Sequence, residues 1–398
     1  MVGIFTQTQK HMSDAADLTR IAGRAHDWLV HAALPFWADQ ARDREGGFCE
    51  ELHADGQPNW QAVRRLRVQA RQIYSYAMAY RMGWCADRSV ADHTLDFMLA
   101  KGFMPDERPG FIALLNPDGS VKDDRRDLYD HAFYLMALAR HSQICTGHTT
   151  LALADSLIAF LDDELAAENG GWTEGLPRDD PRNALRRQNP HMHLFEAFLT
   201  LYDASGNAKY LRRAHEIYEL FQAYFFDEET ATITEFFHQN WRPARGAKGQ
   251  SVEPGHMAEW VWLLGQYEQR TGNSTRKPAE RLYQKLLSYD GPFLFDEMDK
   301  TGRVLRRTSR LWVQTEMVKA HLAQAEFGHR KAPAIAAYWL ERILDDYLRP
   351  EGCWTDVMGE NGLPLHGPVP TSTFYHIVCM ITEAVRVSHS LDKPKKRA

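Results

Sequence analysis

The sequence predicts an all-α fold, an (α/α)6 barrel of six helical hairpins with short β-hairpins in its long loops. Three observations carry this. About twelve segments show the 3.6-residue apolar period of amphipathic helices. The connections alternate between a long one of around twenty residues and a short one of only a few, and two helices joined by a short turn lie antiparallel. The long connections also resemble one another at a period near sixty residues, which marks an internal repeat.

In chain order, the first helix is expected over 13–37, capped by Ser13 and followed by a long connection with Gly46-Gly47-Phe48 and Asp55-Gly56. Helices 61–83 and 87–101 form the next pair, and a connection with Gly110-Phe111 and Asp118-Gly119 leads on to 125–145 and 148–167. Gly170-Gly171-Trp172-Thr173-Glu174 precedes helices 184–204 and 207–225, which turn at Gly206-Asn207. The fourth connection, Thr230 to Glu235, has the strand-like run without a glycine beside it and leads to 254–271 and 276–289. Gly291-Pro292-Phe293 with Thr301-Gly302 leads to 308–326 and 331–347, and Gly352-Cys353-Trp354 with Asn361-Gly362 to 371–390. Strand-like residues running into a glycine turn read as a short β-hairpin. No low-complexity linker interrupts the series, so residues 1–398 are expected to form one domain.

At 398 residues and 44% hydrophobic, the chain can bury a large core. A formal net charge of −6, with no polybasic run apart from Lys393-Pro394-Lys395-Lys396-Arg397 at the tail, argues against a nucleic-acid surface. No run of about 18 apolar residues and no signal-peptide pattern occur, and five scattered cysteines without CxxC spacing suit reduced thiols. A cytoplasmic protein without membrane association is expected. Eleven tryptophans and fifteen tyrosines pack the core by default, and aromatic faces also hold sugar rings in clefts.

The polar residues that open the even-numbered helices carry the chemistry. Taking Arg71, His131, His193, His256, Trp312 and His376 as markers, the intervals are 60, 62, 63, 56 and 64 residues, so one group per repeat should converge on the barrel axis. Tyr129, Asn189, Glu259 and Glu316 lie beside them. His256 and Glu259 fall three apart behind Pro254-Gly255, an imidazole and a carboxylate on one face at a helix entrance. The helices are otherwise apolar, and a buried charged or polar group must find a partner or line a wet cavity. Histidines with one arginine and carboxylates, and no nucleophile motif, suit proton shuttling with an anionic oxygen to stabilise, as in removal of the proton next to a sugar carbonyl.

At Gln69-Ala70-Arg71, Tyr129-Asp130-His131-Ala132-Phe133, Asn189 with Met192-His193 and Glu196-Ala197, Gly255-His256 with Glu259-Trp260, Leu311-Trp312 with Gln314-Thr315-Glu316, and Tyr375-His376, the chain resembles the N-acylglucosamine 2-epimerase superfamily. The resemblance spans essentially the whole chain. It implies the barrel fold, cofactor-free and metal-free chemistry, and a free monosaccharide as substrate. It points to Arg71, His193, His256, Glu259 and His376 as the catalytic set, with Tyr129, Asn189, Trp312 and Glu316 near the sugar. His376 would take the C2 proton and His256 would be the second acid/base; His193 and Arg71 would hold the C1 and C2 oxygens, and Glu259 would orient His256 or assist ring opening. Overall similarity leans to the bacterial mannose isomerases, which implies interconversion of D-mannose and D-fructose, with D-lyxose and D-xylulose as a further pair. A 2-epimerase acting on mannose and glucose, cellobiose or N-acylglucosamine is the alternative, and a homodimer is a further implication of the resemblance.

Other readings weigh less. Glycoside hydrolases of this fold use a carboxylate pair, whereas these positions are rich in histidine. Asp123-Asp124-Arg125-Arg126-Asp127 has the letters of a metal-binding motif but sits at a loop-to-helix junction, where acidic residues favour the helix N-terminus. His191 and His193 are two apart and point to different helix faces, so they make a poor metal pair. The long loops lack a glycine-rich phosphate loop or an arginine cluster, which disfavours a phosphorylated substrate. A non-catalytic sugar- or protein-binding module would tolerate replacement of His376.

Overall fold

The computed structural model describes residues 15–146, 149–177 and 184–391; Ser13, the 393–397 tail and residue 148 at the start of the fifth expected helix lie outside the described residues. Helix α1 (Ala15–Trp28) continues through a π turn, Leu29–Ala33, into Leu34–Gln40. It is followed by α2 (Leu66–Arg81), α3 (Ser89–Gly102), α4 (Leu128–Ser142), α5 (Thr149–Phe160), α6 (Gln188–Ser205) and α7 (Ala208–Leu220). Then come α8 (Pro254–Thr271), α9 (Arg276–Leu287), α10 (Leu311–Glu326), α11 (Ala332–Arg342) and α12 (Phe374–Leu391), the last entered through a 3-10 turn at Thr371–Thr373.

Burial separates two rings. In α2 every residue from Val68 to Ala79 is buried, as packing on both sides requires, whereas α7 buries only the stripe Tyr210, Ala214, Ile217 and Tyr218. The inner ring closes, with α2 on α4, α4 on α6, α6 on α8, α8 on α10, α10 on α12 and α12 back on α2. Outside it, α1 lies against α11 and α12 and joins the two ends of the chain. No helix among the described residues is long and apolar enough to cross a membrane.

The inner helices α2, α4, α6 and α10 begin three to five residues later than the apolar period suggests. The residues just before them are taken by β-pairing with the next long loop. Arg64–Arg65 pairs with Leu114–Leu115, Arg126–Asp127 with Gly175–Leu176, and Arg186–Arg187 with Phe236–Phe237. Ser251–Val252 pairs with Glu297–Asp299, Ser309–Arg310 with Val357–Met358, and Val369–Pro370 returns to Glu51–Leu52. A belt of short antiparallel pairs therefore runs once around one end of the barrel. Hairpins within a loop form ladders in the second, fourth and fifth loops. In the first, third and sixth loops turns are held by single bridges, such as Arg42 with Phe48, Ala166 with Trp172 and Leu348 with Trp354.

The fourth residue of several inner helices staples a loop to the barrel. Gln69 accepts from Phe48 N–H at 2.7 Å and Gln314 from Leu294 N–H at 3.1 Å. His131 Nε2 accepts from Phe111 N–H at 3.2 Å, and His191 Nε2 from Trp172 N–H at 3.1 Å. The other ring nitrogen of each histidine donates to a carbonyl, Asp127 O at 2.7 Å and Arg187 O at 3.0 Å. Burial holds both imidazoles neutral, His131 at about 4 and His191 at about 3.

Candidate active site

Counting from the first residue of each inner helical segment, with Thr371 as the start of the last, puts the chemistry in register. The second residues are Arg67, Tyr129, Asn189, Gly255, Trp312 and Ser372, at the belt end. The sixth are Arg71, Phe133, His193, Glu259, Glu316 and His376, all buried. The ninth, one turn deeper, are Tyr74, Met136, Glu196, Trp262, Lys319 and Cys379. Five of the sixth-residue ring are the polar residues expected at the axis. His131, used as a marker for its repeat, belongs to the loop staples and faces away; Phe133 takes its place. Trp312, marking its repeat, lies a turn nearer the mouth than Glu316.

Arg71 donates from Nη1 to Ser372 O at 3.1 Å and from Nη2 to Tyr129 Oη at 2.9 Å, with its guanidinium 4.1 Å from the Phe133 ring centroid. Among the described residues it has no carboxylate partner, so its charge is available to an anionic oxygen. Trp312, half-buried at the mouth, lies between two imidazoles, with ring centroids 5.4 Å from His256 and 5.6 Å from His376. Gly255 makes room for it, since a Cβ there would stand 2.5 Å from the indole. Asn189 is half-buried on the same rim, its Oδ1 without a partner among the described residues. Tyr129 meets the His193 ring edge-on at 5.2 Å.

The three histidines have different electrostatic settings. His376 Nδ1 lies 2.8 Å from Glu316 Oε1; a carboxylate only accepts, so Nδ1 carries the hydrogen and Nε2 is left for a substrate. Burial, with Arg71, Lys319 and His193 nearby, holds His376 well below the usual histidine value and neutral. His193, with Nδ1 3.4 Å from Glu196 Oε2, is lowered to about 4 by burial, against the pull of Glu196. His256 is the opposite case. Burial works against its charge, but Glu235, with Oε2 3.0 Å from Nδ1, and Glu253 outweigh it and raise the imidazole to about 10. The two imidazoles are pushed apart, His256 toward its charged form and His376 toward its neutral one, a divergence that suits an acid and a base.

Glu259 does not pair with His256. Among the described residues neither of its oxygens has a hydrogen-bond partner, Oε1 is 3.9 Å from His193 Nδ1, and burial beside Glu316 and Glu196 raises it well above the ordinary carboxylate range. Its surroundings favour the protonated form, facing the ring. The partner of His256 is Glu235, which the sequence reading placed only in a loop. A repeat signal exists for it, because Glu50, Glu174, Glu235, Asp296 and Asp356 recur at the same turn. Glu50, Glu174 and Asp296 hold the arginine that ends the following strand, Arg65, Arg187 and Arg310. In the fourth repeat Glu253 stands at that place, its N–H 3.4 Å from Glu235 Oε1, and the other oxygen of Glu235 takes His256 and the Gln188 amide, at 2.9 Å. Lys319, also missed, forms a fully buried ion pair with Glu316 at 2.6 Å.

Glu235, Glu253 and His256 bring three potential metal-ligand atoms within 4.8 Å of one another, as do two groups around Glu259. An ion at Glu316 would compete with the Lys319 ammonium. At the far end of the inner helices a separate cavity of about 270 Å³ is lined by Tyr74, Arg140, Trp262 and Glu383, and Glu196 forms part of its wall.

Comparison with known proteins gives the same register a family. The profile of the N-acylglucosamine 2-epimerase (GlcNAc 2-epimerase) family matches residues 46–380. The chain belongs to the N-acylglucosamine 2-epimerase family. Among relatives in it, a mannose-6-phosphate isomerase of Rhizobium meliloti (strain 1021) is 36% identical over 390 residues, covering 92% of this chain and 97% of that one. A D-mannose isomerase of Thermobifida fusca is 28% identical over 60% of this chain and 63% of its own. The solved cellobiose 2-epimerase of Spirochaeta thermophila DSM 6192 superposes with a TM-score of 0.84 at 22% identity, covering 94% of this chain and 98% of that one. The protein is thus a sugar isomerase or epimerase of the N-acylglucosamine 2-epimerase family, built on the (α/α)6 barrel.

Proposed function

We propose that this protein is a D-mannose isomerase, converting D-mannose to D-fructose and D-lyxose to D-xylulose without a cofactor. The observation that carries the chemistry is the pair of imidazoles flanking Trp312, His376 neutral and His256 charged. In the open-chain sugar, His376 Nε2 takes the C2 proton and the electron pair moves onto the C1 carbonyl oxygen. Arg71, whose charge is otherwise unpaired, and imidazolium His256 stabilise the enediolate oxygens, and His193 fixes their orientation. Glu259, protonated, supplies a proton for ring opening. Return of the proton to C1, with His256 giving its proton to O1 and recovering one from O2, gives the ketose. Trp312 and Tyr129 bound the sugar, Asn189 offers a hydrogen-bonding amide, and Glu316 orients His376.

The isomerase outcome is supported by the 36% identical relative, itself named for an aldose–ketose interconversion. An unphosphorylated sugar is supported by the rim, where Arg65, Arg67, Arg187 and Arg310 are each held by a carboxylate. Two imidazoles on either side of one indole also suit a 2-epimerase, in which the opposite histidine returns the proton to C2. Incubation of EDTA-treated protein with mannose in deuterated water, followed by NMR, decides between them. Fructose with deuterium at C1, or with partial direct transfer, is expected. Glucose deuterated at C2 as the early product would replace this reading with the epimerase, and turnover of mannose 6-phosphate alone would overturn the neutral substrate.

A further inference from the structure

We propose that Lys319 is a positioning residue that keeps the His376–Glu316 pair one proton short, and so keeps a basic nitrogen facing the sugar. The inference rests on the reading of His376 as the base, but its central test does not need turnover. Lys319 is the ninth residue of α10, one turn below Glu316, and is fully buried. Its ammonium lies 2.6 Å from Glu316 Oε2 and 3.8 Å from the centroid of the Trp262 ring, a site that supplies charge compensation and a cation–π face. The other oxygen of Glu316 holds His376 Nδ1. Lysine, carboxylate and imidazole therefore form one line from the barrel interior to the reacting centre.

The line has to carry a definite charge. Glu316 faces His376 on α12, Glu196 and His193 on α6, Glu259 on α8 and Lys319 on its own helix, while Arg71 on α2 and Cys379 on α12 stand nearby. Glu316 lies among two other buried carboxylates, and burial pushes it upward; the Lys319 ammonium is the first influence that opposes this. With Lys319 present, the pair is a neutral imidazole donating Nδ1–H to an anionic carboxylate. Without that charge, the pair takes up a proton in one of two ways. If Glu316 takes it, its hydroxyl donates to Nδ1 and the ring hydrogen moves to Nε2. If His376 takes it, Nε2 is protonated directly. Both leave no lone pair toward the C2 proton.

The test is Lys319→Met, which keeps the length of the side chain and removes the charge. In ¹⁵N-histidine-labelled protein at neutral pH, His376 of the native chain should show a protonated Nδ1 and an unprotonated Nε2, and the variant a protonated Nε2. The kcat/KM of the variant should fall about 10²- to 10³-fold at pH 7, the scale of a lost general base, with KM changed less than about threefold. The acidic limb of its pH profile should move upward, so that the loss shrinks as pH rises. The double variant K319M/E316Q, whose amide carbonyl accepts Nδ1–H without a charge, should be more active at pH 7 than K319M. A merely structural lysine would give a loss uniform with pH, an unchanged His376 spectrum and no rescue, and any of these overturns the proposal. Inactivity of the native chain on mannose would overturn the substrate reading and leave the spectroscopic result to decide on Lys319.

Discussion

Replacing Glu235 by glutamine isolates the acid half of the site. The ordinary histidine value of 6.5 and the value of about 10 for His256 differ by about 5 kcal/mol of preference for imidazolium over imidazole. Burial opposes that preference, so the surrounding carboxylates supply all of it. Glu235 comes first among them, at 3.0 Å; Glu253 is second and its side chain is 28% exposed, where water screens it. In Glu235→Gln the amide oxygen still accepts Nδ1–H but offers no charge, so His256 should fall to near 6.5 or below. At pH 8 a histidine at 6.5 is only about 3% charged, so kcat/KM should drop about 30-fold from protonation alone. The alkaline limb of the profile should move from near 10 to near 6.5 or below. The assay is kcat/KM for mannose between pH 6 and 10.5, with the His256 titration followed by NMR in the same samples. An alkaline limb that stays put in the variant would refute the assignment of His256 as the charged acid.

Two further outcomes follow from the same geometry. Removing the staple in His131→Ala should cost about 1–3 kcal/mol by leaving the Phe111 amide unpaired. His131→Gln should cost less than about 1 kcal/mol, because Gln69 and Gln314 already do this in other repeats; urea midpoints separate the two, and kcat of the folded fraction should be unchanged in both. Stability itself should vary with pH through His256. Its folded-state value is raised, so the stabilisation is complete below about 6.5 and is lost as pH rises through about 10; a urea midpoint that is flat over that window, or a fall that persists in Glu235→Gln, would contradict this.

The barrel was legible because periodicity and alternating connection lengths are local properties. The belt was not, because two-residue strands pair with a different repeat and carry no alternation of their own, which is why the starts of α2 and α10 were placed too early. At the site, Arg71, His193, Glu259, Glu316 and His376 were found because charged and imidazole groups stand out on apolar helices. Spacing by residue type then misled, since His131 and His193 look alike in sequence while one faces a loop amide and the other the axis. Only their positions along the helix, fourth against sixth, separate them. Glu235 and Lys319 act across distances that a single helix cannot show: one reaches from a loop 21 residues away, and the other works from beneath Glu316.

The belt joins Glu51–Leu52 to Val369–Pro370, and Arg71 reaches across that seam to the Ser372 carbonyl, 301 positions later. The proposed oxyanion partner and the proposed base are thus contributed by the first and the last of the six repeats. Because the mouth depends on the last repeat docking against the first, closing the ring and assembling the proposed site are one event.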